Sequence, residues 1–257
     1  MSVQMAETKV DGPILVFLGP TLRLAEAESV LDAIYLQPAA QGDMLLAAHA
    51  FRPRAMVLID GQFEDRPAVR HKEILWAMAQ GIAVIGAASM GALRAAELNA
   101  FGMVGVGLIY RWYRRWQLAP DDAVAVHSGP AELGFLPLTD SLIDLQRTFS
   151  AWMRKRRITP IERDELTKAA RSLNFRERTL AAVLGRAGWP PETVHALRLE
   201  MVGQKRRDAI AALQSAPALA HEAYAARRIP EWVATNTFLR DLEAGGIDIK
   251  LVNTYKL

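Results

Sequence analysis

Short apolar runs that alternate with helix-forming stretches constrain the fold of this 257-residue chain more than any other feature. The runs lie at residues 14–18, 54–61 and 82–86, and a glycine ends or follows each one. Such runs are typical of buried parallel strands, and the helical stretches after them, at 24–31, 68–80 and 92–100, predict crossover helices. We therefore predict an α/β fold with a parallel sheet flanked by helices. Asp65 is the predicted N-cap of the second helix and Gly81 its end.

The chain changes character beyond Asp140. Long stretches rich in Ala, Leu, Arg and Glu predict helices at 141–156, 160–173, 175–187 and 191–216, with boundaries at Pro190-Pro191, Pro217 and Pro230. Residues 247–251 alternate like an edge strand. We predict a core domain at 1–140 and a mainly helical C-terminal region at 141–257.

The composition excludes several classes of protein. The chain has no cysteine, which rules out disulfides, thiolate metal sites, a cysteine nucleophile and a persulfide carried on the protein. No run approaches the roughly 18 apolar residues that cross a bilayer, and the first residues do not resemble a signal peptide. We therefore expect a cytoplasmic protein without a membrane partner.

Three polar sites follow the three predicted strands directly. They are Thr21 in the turn after the first strand, Asp60 after the second and Ser89 after the third. In parallel sheets, ligands bind at the carboxyl ends of the strands, so we expect these residues to share one edge.

Four motifs occur in order between residues 71 and 126. They are His71-Lys72-Glu73-Ile74-Leu75, the stretch 86–97 (GAASMGALRAAE), the stretch 101–107 (FGMVGVG) and the stretch 121–126 (DDAVAV). Together with the turn at 19–22, this succession resembles the TfuA-like core domain over most of residues 14–150. The region after Asp140 carries little of the resemblance.

The resemblance implies an accessory protein for a YcaO-type cyclodehydratase, which uses ATP to activate a backbone amide during peptide thioamidation. By the same resemblance, the sulfur would come either from sulfide or from a second partner, a small sulfur-carrier protein that ends in a thiocarboxylate. The TfuA-like protein would recruit this carrier and could release its sulfur. A non-catalytic scaffold or activator of the YcaO enzyme and an independent serine hydrolase are the alternatives.

Ser89 is the predicted nucleophile, because it follows a strand and opens a helix, and residues 87–92 resemble the nucleophile segment of Clp-type serine proteases. The N–H groups of Met90 or Gly91 would stabilise the developing oxyanion. His71 or His127 would take the proton, oriented by a carboxylate, for which Asp60, Asp121 and Asp122 are the candidates.

Two further interpretations of Ser89 remain open: a plain helix N-cap, and an anion-binding turn without covalent chemistry. Arg94 and Glu97 lie three residues apart on the same helix face and would pair there. With the resemblance, we predict Arg94 and Glu97, like Thr21, to be substrate-binding residues near Ser89, and His71, Lys72 and Glu73 to be candidates for a part in catalysis. The residues alone also fit a solvated surface.

No metal or cofactor site is predicted. Asp121-Asp122 lacks matching ligands, and neither a dinucleotide-binding loop nor a phosphate-binding P-loop occurs. Residues 111–116 (RWYRRW) interleave aromatics with arginines, and residues 154–157 are basic. The net charge of only +3 favours a protein contact over nucleic acid for these segments.

Overall fold

The computed structural model describes residues 12–62, 66–116, 118–226 and 232–255. Its five strands all pair in parallel, in the order β2-β1-β3-β4-β5. The strands are β1 (Ile14–Phe17), β2 (Ile34–Leu36), β3 (Ala55–Leu58), β4 (Ala83–Ala87) and β5 (Val104–Val106). The predicted α/β fold with a parallel sheet is confirmed.

Helices cover both faces of the sheet and build the C-terminal region. Those of the first half are α1 (Leu24–Glu28), α2 (Asp43–Phe51), α3 (His71–Ala79), α4 (Met90–Leu98) and α5 (Gly107–Arg115). Those of the second half are α6 (Leu142–Arg154), α7 (Pro160–Ser172), α8 (Leu180–Arg186), α9 (Thr193–Arg198), α10 (Gln204–Ala226), α11 (Asn236–Ala244) and α12 (Leu251–Thr254).

Alternate residues of each strand enter two different cores. One core joins Leu15, Met56 and Val84 to the helices α2, α3 and α4, and buries Trp76 completely. The opposite core joins the other strand faces to α10, whose small side chains allow a close approach to the sheet (Ala209, Ala212, Ala216, Ala220). Because both faces are covered, the strands are apolar runs without alternation.

The C-terminal helices pack in two places. Helices α6, α7 and α8 form a third core around Phe149 and Trp152, while α10 and α11 join the two cores of the sheet. Residues on both sides of the predicted boundary at 140 and 141 therefore share a core. The division into two domains stays a prediction.

Two predictions for this region are wrong, a helix boundary and an edge strand. Pro217 lies inside α10 instead of ending it; the helix is buried against the sheet along this part, and that burial outweighs one missing hydrogen bond. Residues 247–251 form a turn into α12 and no edge strand, because their apolar residues pack on the first core instead. Asp65 and Pro230 lie outside the described residues.

Candidate active site

Ser89 lies directly after β4, at the edge of the sheet where the carboxyl ends of the strands meet, called the carboxyl edge below. Its N–H donates to the Ala87 carbonyl at 2.8 Å, which closes a three-residue turn around Ala88. Ala88 has a φ of +63°, a left-handed conformation that is rare for a residue with a side chain. Such γ-turns are strained, and strain of this kind is concentrated at functional sites.

The Ser89 hydroxyl does not cap helix α4, although capping is the usual role of a serine at a helix start. The residue occupies the N-cap position of α4 and is only 2% exposed, yet its hydroxyl accepts no capping hydrogen bond. Its carbonyl accepts the N–H of Ala92 at 3.0 Å, so the helix begins without help from the hydroxyl. The plain N-cap interpretation is therefore wrong, while the nucleophile and the anion-binding turn both stay predictions.

Helix α4 lies unusually close to the end of β3. A Cβ atom placed on Gly91 would lie 1.7 Å from the Leu58 carbonyl oxygen, so only glycine fits there. The Gly91 N–H donates to the Ile59 carbonyl at 3.2 Å. Of the two predicted oxyanion donors, Gly91 is thus already engaged, and Met90 remains.

Asp60 follows β3 and holds the turn after β1. Its carboxylate accepts the N–H groups of Gly19 at 2.9 Å and Thr21 at 3.2 Å, and the Thr21 hydroxyl at 2.6 Å. The residue is 1% exposed. The predicted meeting of Thr21 and Asp60 at the carboxyl edge is confirmed, and their contacts fix the shape of this edge.

His71, Arg94 and Glu97 form one cluster on the neighbouring surface of α3 and α4. His71 Nε2 lies 2.7 Å from Glu97 Oε2, and an Arg94 guanidinium nitrogen lies 2.8 Å from the same oxygen. Burial opposes ionisation of Glu97, but the hydrogen bonds from His71 and Arg94 outweigh it and lower the pKa of the carboxyl. Glu97 lies eight residues beyond Ser89, about 12 Å along the helix, so the ring of His71 is held away from the start of α4.

Glu73 ties two helix starts together. Its fully buried carboxylate accepts the N–H groups of Gly42 at 2.9 Å and Met44 at 3.3 Å, at the start of α2, and that of Arg70 at 2.7 Å, before α3. Burial raises the pKa of Glu73 to about 7, although these hydrogen bonds act in the opposite direction. These contacts give Glu73 a structural role, and its predicted part in catalysis has no contact to support it.

The two remaining candidates lie in different surroundings. Lys72 donates to the Val233 carbonyl at 3.4 Å and stands beside the C-terminal segment. His127 is exposed and is held by its backbone, which accepts from Leu138 and donates to the Thr139 hydroxyl. Asp122, a predicted partner for the base, pairs instead with the buried Arg178 at 2.7 Å. No predicted base is hydrogen-bonded to Ser89 in the part of the chain that the structure describes.

Sequence reasoning missed the polar start of α10, which reaches the same edge from the opposite face. Lys205 is 4% exposed, and its ammonium donates to the Val124 carbonyl at 2.8 Å. Asp144 accepts the N–H groups of Gln204 at 2.6 Å and Lys205 at 3.0 Å. A lysine in an Ala-rich helical stretch looks like a surface residue, so no signal in the sequence marked it as buried.

The aromatic and basic segment at 111–116 lies mostly on α5. Trp112 and Trp116 line a groove of about 780 Å³ together with Pro120 and Leu142. Trp116 is 56% exposed and Leu118 is fully exposed, so the groove continues into an apolar surface. This is a surface suited to a protein contact.

Among the described residues, no group of three or more His, Cys, Asp or Glu side chains is arranged to hold a metal ion. None of the described helices combines the length and apolar character needed to cross a membrane.

Comparison with known protein families gives a match. The family model described as TfuA-like protein matches residues 60–179, which confirms the predicted resemblance. The match begins at Asp60, so the turn at 19–22 lies outside it, and it extends through α6 and α7, beyond the predicted limit near residue 150. None of the curated proteins matches the chain.

Proposed function

We propose, from the premise that this chain is a TfuA-like protein across residues 60–179, that it is an accessory protein of a YcaO-type cyclodehydratase in peptide backbone thioamidation. In this proposal it recruits a small sulfur-carrier protein with a C-terminal thiocarboxylate and releases the sulfur by hydrolysis. ATP belongs to the YcaO partner, and this chain needs no cofactor of its own.

The turn at Ser89 is the observation that carries the hydrolytic step. A strained γ-turn places the Ser89 hydroxyl at the start of α4, where it makes no capping hydrogen bond. This turn lies inside the region that matches the TfuA-like family. A residue held in a conformation of this kind costs of order 1–3 kcal/mol and persists where the surroundings require it. Because the chain has no cysteine, a serine hydroxyl is the natural nucleophile for attack on the thiocarboxylate carbonyl carbon.

The chemistry has two steps. Ser89 Oγ attacks the thiocarboxylate carbonyl carbon, and its proton passes to a base. The base returns this proton to the departing sulfur as the carbon–sulfur bond breaks, so that hydrosulfide (HS⁻) leaves and an ester remains on Ser89. Water then cleaves the ester, which restores the hydroxyl and leaves the carrier with an ordinary carboxylate. The N–H of Met90, the donor that remains at the start of α4, would stabilise the oxyanion of each step.

The hydrolytic proposal requires a base beside Ser89, whereas its main alternative, a non-catalytic scaffold, requires none. His71 is hydrogen-bonded to Glu97, and His127 is exposed on a loop, so either must move toward Ser89 to take its proton. A non-catalytic scaffold that docks and activates the YcaO enzyme would need no such movement. The exposed groove beside α5 would provide the contact with that enzyme in either case.

A reconstituted thioamidation reaction tests the proposal. The YcaO enzyme and its peptide are supplied with either thiocarboxylated carrier or sodium sulfide, together with wild-type protein, Ser89→Ala or the control Ser172→Ala. Ser172 lies at the end of α7, where its hydroxyl donates to the Ala169 carbonyl of the same helix at 2.9 Å. We expect Ser89→Ala to fail with the carrier and to work with sulfide, while Ser172→Ala works with both.

The other outcomes identify the alternatives. If Ser89→Ala supports the reaction with the carrier as well as wild type does, the scaffold is correct and the hydrolytic step is wrong. If wild-type protein has no effect with either sulfur source, the accessory role itself is wrong. An independent serine hydrolase would instead cleave small esters in the absence of any partner.

A further inference from the structure

A cavity of about 300 Å³ opens at the carboxyl edge, between the turn after β1 and the start of α10. Its lining includes Thr21, Ser141, Asp144 and Lys205. The strand order reverses between β1 and β3, since the chain runs from β1 to β2 on one side and then to β3 on the other. In open α/β sheets, ligands bind outside the carboxyl ends of the strands at such a switch point.

Lys205 is the unusual residue of this cavity. Its side chain is buried, and among the described residues its ammonium has a single hydrogen bond, to the Val124 carbonyl at 2.8 Å. An ammonium carries three donors, so two are left for an occupant of the cavity. Burial lowers the pKa of Lys205, and the negative charges of Asp60 and Asp144 oppose this effect.

Asp60 and Asp144 lie near the Lys205 ammonium, but neither carboxylate forms an ion pair with it. Asp144 is occupied by two backbone N–H groups and by the Ser141 hydroxyl at 2.9 Å. Asp60 is occupied by the turn at Gly19 and Thr21. A buried charge without a direct partner is costly, and an anion in the cavity would remove that cost.

The charge balance of the lining selects the kind of anion. Arg198 pairs with Asp140 at 2.5 Å, and Arg206 pairs with Glu26. Of the cavity's three cations, Lys205 is therefore the one without a direct ion pair among the described residues. Because the carboxylates of Asp60 and Asp144 already lie near this ammonium, a monoanion adds less repulsion at the site than a phosphate dianion would.

We propose that this cavity binds a carboxylate-type monoanion, a carboxylate or a thiocarboxylate, through the ammonium of Lys205. The inference rests on the cavity and on Lys205, and it stands or falls separately from the hydrolytic role of Ser89. If both are correct, the anion is held at the same edge of the sheet that carries the Ser89 hydroxyl.

Calorimetric titration with sodium acetate, sodium thioacetate and sodium phosphate at constant ionic strength tests this site. The proteins are wild type, Lys205→Met and the control Lys168→Met, whose lysine is exposed on α7. We expect wild type and Lys168→Met to bind at least one of the two carboxylate-type probes. Lys205→Met should bind it at least about tenfold more weakly, the effect of losing one charge-assisted hydrogen bond. Comparison of the acetate and thioacetate affinities shows whether oxygen or sulfur is preferred.

A second measurement uses the wild-type protein alone, in case Lys205→Met does not fold. The NMR signal of the Lys205 ε-methylene group should shift as the bound probe is added. Unchanged Lys205 signals, equal affinity in Lys205→Met and wild type, or phosphate binding as tight as that of the better carboxylate-type probe would each overturn the proposal.

Discussion

Replacing Gly91 by alanine tests whether the close approach of α4 to β3 holds the Ser89 turn in place. The added Cβ would lie 1.7 Å from the Leu58 carbonyl oxygen and 2.6 Å from its carbonyl carbon. Even a separation of 3.0 Å requires a shift of about 1.3 Å, and both partners are backbone atoms that cannot rotate away. The shift would also stretch the hydrogen bond from the Gly91 N–H to Ile59.

The loss of unfolding free energy that we expect for Gly91→Ala lies at the upper end of the range for overpacked cores. Such substitutions typically cost about 1–3 kcal/mol, and rigid backbone on both sides leads us to expect about 3 kcal/mol or more for Gly91→Ala. Urea denaturation followed by circular dichroism measures the free energy of unfolding. Activity should fall together with stability, because the start of α4 and the Ser89 turn move as one unit.

Gly185 provides the matched control. It lies in α8, and a Cβ placed on it would meet no atom within 4 Å. Gly185→Ala should therefore raise the free energy of unfolding by about 0.5–1 kcal/mol, the usual difference in helix propensity. A loss below about 1 kcal/mol in Gly91→Ala would refute the reasoning, since two backbones in real contact cannot admit a methyl group so easily.

Three further predictions concern buried charges. Because burial raises the pKa of Glu73 to about 7 from an unfolded value of 4.5, the native state holds this proton more tightly. The stabilisation that the protonated Glu73 gives the folded state is thus fully present below about pH 4.5 and is lost as the pH rises toward 7. Relative to Glu73→Gln, the unfolding free energy of wild type should fall by about 3 kcal/mol over this range in urea titrations, and a constant difference would contradict it. Asp60→Asn should cost about 1–3 kcal/mol by removing acceptors from the turn at Thr21, which thermal unfolding would detect; an unchanged midpoint would count against this. Arg178→Met should cost about 1–3 kcal/mol, chiefly by leaving the carbonyls of Leu173 and Asp122 unpaired, since the Asp122 carboxylate is 43% exposed and water can replace its partner; an unchanged free energy of unfolding in denaturant titration would show these contacts to be dispensable.

The central strands could be predicted because they are buried on both faces. β1, β3 and β4 are four or five residues long and fully buried, so they appear in the sequence as continuous apolar runs. β2 and β5 are three residues long and half-buried, which is too short to form the continuous apolar run by which a buried strand is recognised. The edges of the sheet were therefore missed, although its centre was predicted.

The site was predicted only in part, for a related reason. Ser89 and Asp60 follow strands that could be recognised, so their place at the carboxyl edge followed from the fold. Lys205 comes to the same edge through the packing of α10 against the sheet, a contact between distant parts of the chain that periodicity does not reveal. The pairing of His71 with Glu97 likewise depends on how α3 and α4 lie side by side.

Release of sulfide from a thiocarboxylated carrier by the isolated protein tests the central claim most directly. Wild type and Ser172→Ala should release sulfide above the rate of the carrier alone, and Ser89→Ala, with its fold verified by circular dichroism, should fall to that background. Release by Ser89→Ala at the wild-type rate would show that the Ser89 hydroxyl is not the nucleophile.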